Sequence, residues 1–174
     1  NMAVRANDNQ IPHELKNVGI VERLGERVDI DQIELFNEKG QRVRLSSFFQ
    51  TPKPVVMVPI YFTCPSLCNL TLNGFLDTLK QLEWNPGEKY EIITYSIDPT
   101  EDAQLARAKK VSYLASYNRE GAAEGWHFLT GEESQIKKLS DQLGFRYRYD
   151  EEQGEYAHSA GVFVLTPDGK ISRN

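Results

Sequence analysis

No apolar stretch in this sequence approaches the roughly 20 residues that a membrane-spanning helix needs, and no charged, apolar and small-residue succession marks a secretory leader at its start. The expectation is a soluble chain. Asn1 stands ahead of Met2, and Asp168 to Asn174 stop just after a turn signal with a strand barely begun. Both ends are therefore expected to be cut, with any targeting or anchoring segment outside the sequence. Basic clusters are missing as well. A net charge of −5 without a Lys/Arg-rich helix face argues against a nucleic-acid surface, and Arg146-Tyr147-Arg148-Tyr149 fits a strand with one solvated face. Cysteine is scarce: two thiols cannot form a disulfide scaffold for 174 residues. Histidine is limited to His13, His127 and His158, and no proline occurs between Pro99 and Pro167. What remains is 40% hydrophobic residues with 10% aromatics, enough for one real core and too much for disorder.

Both thiols fall in Cys64-Pro65-Ser66-Leu67-Cys68, between the apolar run Val55 to Phe62 and a helical pattern. Pro65 suits the first position of a helix, because its fixed φ fits and its missing N–H has no intrahelical partner there. Cys64 then becomes the N-cap. Cys68, four positions on, sits one turn along the same face, so two sulfurs can converge at the positive end of the helix dipole, where the thiolate form is favoured. A cysteine pair at this spacing also has plain readings, as a structural disulfide or as two small buried hydrophobes.

The first 30 residues show no sustained period and read as an extended lead-in, with residues 31–174 as a single domain. Ile33 to Phe36 and Gln41 to Leu45 alternate around Gly40 and predict a hairpin, after which Ser46 is expected to cap a short helical turn through Phe49. Val55 to Phe62 reads as a strand buried on both faces, with Pro59 predicting a bulge or break. Leu72, Phe75, Leu76, Leu79 and Leu82 recur at helical spacing up to Asn85-Pro86-Gly87. Tyr90 to Ile97 is a second buried strand, and Asp98-Pro99-Thr100-Glu101 reads as cap, first residue and early acid of a helix running to Tyr117. Trp126 to Leu129 is a strand, Glu132 to Leu143 a helix ended by Gly144, and Phe145 to Tyr149 a strand. Tyr156 to Leu165 is expected to return as one strand, closed by the turn Pro167-Asp168-Gly169. This order predicts an α/β sheet, whose ligands gather beyond the carboxyl ends of its strands. Cys64, Cys68 and Asp98 all fall there.

Paired cysteines at the start of the first long helix of such a sheet resemble the thioredoxin-like fold: a central mixed sheet with helices on both faces and an N-terminal β-hairpin. Thioredoxin-type oxidoreductases, however, carry Cys-x-x-Cys and a proline before a late strand. Here three residues separate the cysteines, and Glu155-Tyr156-Ala157-His158-Ser159-Ala160-Gly161-Val162 puts a histidine near that place. From about Val28 to Ile171 the chain resembles the Sco (SenC) family of copper proteins. The likeness rests on the Gly40 hairpin, Tyr61-Phe62-Thr63-Cys64-Pro65-Ser66-Leu67-Cys68, Asp98-Pro99-Thr100-Glu101-Asp102, Leu129-Thr130-Gly131, and His158 ahead of Thr166-Pro167-Asp168-Gly169.

The resemblance implies copper bound by Cys64, Cys68 and His158, as Cu(I) with Cu(II) left open. Two thiolates and an imidazole suit a soft ion that accepts two or three donors, whereas structural zinc takes four. It further implies delivery of copper to cytochrome c oxidase subunit II or another copper-accepting protein, or reduction of the cysteines of the oxidase's binuclear copper site. The expected location is extracytoplasmic, on the periplasmic side of a bacterium, with a membrane anchor in the full-length protein. The alternative is a metal-free thiol:disulfide oxidoreductase, in which Cys64 as the more exposed thiol attacks and Cys68 resolves. Asp98 stays open between a helix cap and an outer acid or docking residue near the metal. His127, between Trp126 and Phe128, reads as structural.

Overall fold

A computed structural model describes residues 17–64 and 67–174, with only the backbone described at residues 67–69. Expectations for Met2, His13 and the Pro65 helix start lie outside the described residues.

Five strands form the central sheet: β4 (Val55–Ile60), β5 (Glu91–Ser96), β6 (Trp126–Leu129), β9 (Phe163–Leu165) and β10 (Ile171–Arg173), in spatial order β10-β9-β4-β5-β6. β4, β5 and β6 run parallel, while β9 joins β4 antiparallel and pairs with β10 across the Pro167-Asp168-Gly169 turn. The parallel crossovers carry α1 (Leu67–Gln81) and α2 (Ala103–Tyr117). A third helix, α3 (Glu133–Leu143), precedes β7 (Phe145–Asp150), which pairs with β8 (Glu155–His158) on one side and with β1 (Gly19–Ile20) on the other. The early hairpin is β2 (Glu34–Phe36) and β3 (Arg42–Arg44), with Leu35 opposite Val43.

Successive residues of a strand face opposite ways, so β5 shows where the helices lie. The Thr94 hydroxyl accepts from Trp126 Nε1 at 3.0 Å, and the Trp126 ring packs on Phe75 of α1 and on Tyr113 and Tyr117 of α2. Tyr95, one residue on, hydrogen-bonds Ser140 of α3 at 3.0 Å. Helices therefore cover both faces, and the sheet is mixed. Ahead of residue 31, β1 edges β7, and Val28 is buried.

Several local expectations change. Pro59 causes no bulge: β4 pairs with β5 in unbroken register through Pro59 and Ile60. The Ile60 carbonyl accepts from Ile97 N–H, so the polar groups of Pro59, one residue away, turn toward β9. That strand has already stopped opposite Met57, so no ladder donor is missed. Tyr156 to Leu165 is not one strand but two. β8 belongs to the β7 hairpin and β9 to the central sheet, and the chain crosses between them at residues 159–162. Gly161 permits the crossing: a Cβ there would stand 3.2 Å from both Ile20 and Phe163. Ser46 lies inside a short 3-10 turn, Leu45–Phe49, and does not cap it.

The cap of α2 is Asp102, which accepts from Leu105 N–H at 2.9 Å, and not Asp98. Asp98 instead closes its own turn, its Oδ1 accepting from the Thr100 N–H at 2.8 Å and the Thr100 hydroxyl at 2.7 Å. The displacement of the cap has a cause in Glu101, which is engaged elsewhere.

Candidate metal centre

β4 delivers Tyr61 and Phe62, both buried, into a tight turn that ends at Cys64, whose N–H donates to the Tyr61 carbonyl at 3.3 Å. The turn hangs on Glu101, only 8% exposed. One carboxylate oxygen accepts from Phe62 N–H at 2.8 Å and from the Ser96 hydroxyl; the other accepts from the Thr63 N–H and hydroxyl, both at 2.8 Å. Lys109 of α2 donates to the Phe62 carbonyl at 3.0 Å. Backbone groups that no strand or helix could pair are thus satisfied from α2 and its approach. Cys64 itself is 6% exposed.

His158 ends β8, opposite Tyr147 of β7, and is 7% exposed. Its Nδ1 lies 2.9 Å from the Ser159 carbonyl oxygen. A carbonyl can only accept, so Nδ1 carries the proton and the neutral ring keeps its lone pair on Nε2. Burial pushes the pKa of His158 down, against a smaller upward pull from that hydrogen bond. The ring is therefore held in the form that a metal ion requires. Tyr61 joins the two segments: its ring meets His158 edge-on at 5.7 Å between centroids, and its carbonyl holds Cys64. The turn that follows β4 and the end of β8 thereby share one corner.

The backbone of Cys68 lies in the first turn of α1; its side chain falls outside the description. Among the described residues no three of His, Cys, Asp and Glu converge as a metal site. The three donors expected from the sequence, Cys64, Cys68 and His158, would make a soft set. Asp98 lines a cleft of about 220 Å³ with Tyr61, Thr63 and Tyr156. Glu101, read from the sequence as an early acid of a helix, holds the Phe62–Thr63 turn instead, a role that sequence reasoning missed. The available signal was a pair of adjacent acids, Glu101-Asp102, where a helix start uses only one.

His127 is apart from this corner. It stacks on Phe48 at 4.5 Å and meets Glu91 at 3.1 Å, which is the structural role expected. Burial lowers its pKa from 6.5, although Glu91 pulls the other way. The unfolded chain therefore takes up the proton first. Stability conferred by the neutral ring is present above pH 6.5 and is lost as pH falls through the lower folded-state value. Urea denaturation of wild type and His127→Phe across this range should show a shallower pH slope in the variant. An identical slope would remove His127 from the balance.

The SCO1/SenC family model matches residues 25–174. No curated protein matches the chain in sequence. Among solved structures, a proposed electron transfer protein from Aquifex aeolicus VF5 is similar at 26% identity and TM-score 0.72, over 87% of this chain and 83% of that one. BsSco, described as a member of the Sco family of cytochrome c oxidase assembly proteins with a disulfide switch, is similar at 22% identity and TM-score 0.63, over 87% and 84%. Bradyrhizobium japonicum ScoI, solved with copper bound, is similar at 22% identity and TM-score 0.59, over 86% and 87%. These likenesses carry the thioredoxin-like fold expected from the sequence. The family match takes in well over half of the sequence, and the chain belongs to the SCO1/SenC family.

Proposed function

We propose that this chain carries copper, held by Cys64, Cys68 and His158, to a copper-accepting partner during cytochrome c oxidase assembly, with subunit II as the recipient. The observation that supports the reading is the corner at Tyr61, whose carbonyl holds the N–H of the buried Cys64 and whose ring meets the buried, neutral His158 from a distant segment. Thiolate and imidazole donors favour Cu(I), and a three-donor set leaves room for an incoming ligand from the acceptor. Membership of the SCO1/SenC family supports the same reading, as do the copper-bound ScoI structure and the assembly role given for BsSco. The protein works on the extracytoplasmic side of a membrane, where an anchor in the full-length chain keeps it near the oxidase.

The thiol:disulfide alternative fits less well, because it asks Cys64 to attack an outside disulfide while 6% exposed. The two readings separate in one experiment. Reduced protein is titrated anaerobically with Cu(I) under a competing chelator, and disulfide reduction is assayed in parallel without copper. One tightly bound equivalent and negligible turnover are expected. Rapid multiple turnover in a protein that leaves copper with the chelator would replace delivery by reductase activity.

A further inference from the structure

The cleft beside the cysteine turn has a lining of its own. Tyr61, Tyr149 and Tyr156 supply aromatic walls, Asp98 and Glu155 bring carboxylates, and among the described residues no lysine or arginine lines it. The Tyr156 ring stands at 5.4 Å from Tyr61 and 5.0 Å from Tyr149, tilted by 60° and 64°, so the three rings form a bent wall and not a stack. β7 and β8 pair Tyr149 with Tyr156 and Tyr147 with His158. By strand alternation these four share one face, while Arg146 and Arg148 turn to the other. The imidazole is thus two residues along the same face from the cleft.

At about 220 Å³ the cleft is smaller than the roughly 300–1,000 Å³ of small-molecule sites. Its capacity is that of one side chain. Aromatic faces with carboxylates alongside attract a desolvated cation, through the ring quadrupole and through charge. The chain already uses this pairing internally, with the Arg119 guanidinium 5.4 Å above the Tyr117 ring. Tyr149 is 50% exposed, so the wall is reachable from outside.

We propose that this cleft receives a lysine or arginine side chain of the copper-accepting protein, orienting it over the corner formed by Cys64 and His158. The occupant rests on the delivery reading above. Charge complementarity selects it, because an acidic and aromatic cleft beside the cargo rewards a cationic anchor on whichever protein approaches.

The test uses N-acetyl-arginine methylamide as the probe and the neutral, nearly isosteric N-acetyl-citrulline methylamide as its control. Both are titrated into reduced protein with and without Cu(I), while the tyrosine ring resonances are followed by NMR. Saturable shifts at the Tyr149 and Tyr156 rings are expected with the arginine probe only. They should weaken roughly two- to five-fold in Tyr149→Leu, the range of an exposed cation–π contact. Asp98→Asn, which keeps the oxygen that holds the Thr100 turn, should weaken them by a similar factor, and added salt should do so in wild type. Copper stoichiometry in Tyr149→Leu should match wild type. Equal shifts with the citrulline probe, or none that saturate, would overturn the cationic anchor whatever the copper result. Arginine-specific shifts in a protein that binds no copper would keep the cation site and remove only its link to delivery.

Discussion

Glu101→Ala should lose roughly 2–3 kcal/mol of folding stability, because it strands the buried Phe62 N–H at a cost of about 1–3 kcal/mol and removes the acceptor of the part-buried Thr63 N–H at a smaller one. Both donors now end on one carboxylate, with two hydroxyls on the same group. No strand neighbour can replace it, since β4 has ended at Ile60. The consequence extends to copper. Tyr61 and Cys64 are the first and last residues of this turn, so a loosened turn moves both the thiol and the ring that touches His158. Cu(I) affinity should therefore fall in Glu101→Ala even at temperatures where the variant is fully folded. Glu101→Gln keeps one acceptor and should lie between. The measurements are urea denaturation and chelator-competed Cu(I) titration on all three proteins. A stability within about 0.5 kcal/mol of wild type, the range of ordinary surface changes, together with unchanged affinity, would mean that the turn holds itself.

The same residue shows what could and could not be read from the sequence. β4 and β5 were legible because strands buried on both faces are written as continuous apolar runs, and α1 because its buried Leu72, Leu76 and Leu79 recur at helical spacing. The order of elements and the family motifs then placed Cys64, Cys68 and His158 together on paper. The α2 cap was misplaced because Asp98-Pro99 carries every local mark of a helix start. Only the demand of the Phe62–Thr63 turn for acceptors draws Glu101 away and leaves capping to Asp102. That demand is tertiary and has no local signature. The break between β8 and β9 was hidden for a related reason. Apolar residues run on from Tyr156 to Leu165, and the crossing is dictated by Ile20 and Phe145 closing on Gly161, contacts between segments far apart in the chain.

Replacing Cys64 or Cys68 with alanine should abolish competitive Cu(I) binding, while His158→Ala should weaken it and leave a two-sulfur site. The asymmetry follows from the donors. Cu(I) holds thiolate more strongly than imidazole and accepts two-coordination, so losing one sulfur leaves a pair that no longer outcompetes a chelator, and losing the ring leaves the stronger pair. For His158→Ala the fall should exceed the roughly 10- to 100-fold typical of losing an outer partner of a metal ligand. The ring also has a place in release. Cys64 and Cys68 are neighbours in sequence, held by the Glu101-anchored turn and by α1. His158 stands at the end of β8, where the chain leaves the hairpin for the central sheet. Detaching the imidazole is then the smaller movement, and it frees one coordination position for an acceptor. His158→Ala should accordingly give up copper faster to a competing thiol or to the soluble copper domain of oxidase subunit II, at equal thermal stability or after correction for any loss. Transfer is followed by stopped-flow absorbance, with binding constants from chelator competition. A His158→Ala protein with wild-type affinity and wild-type transfer rate would exclude the imidazole from the site, and a Cys64→Ala protein that still competes for Cu(I) would exclude the thiol pair.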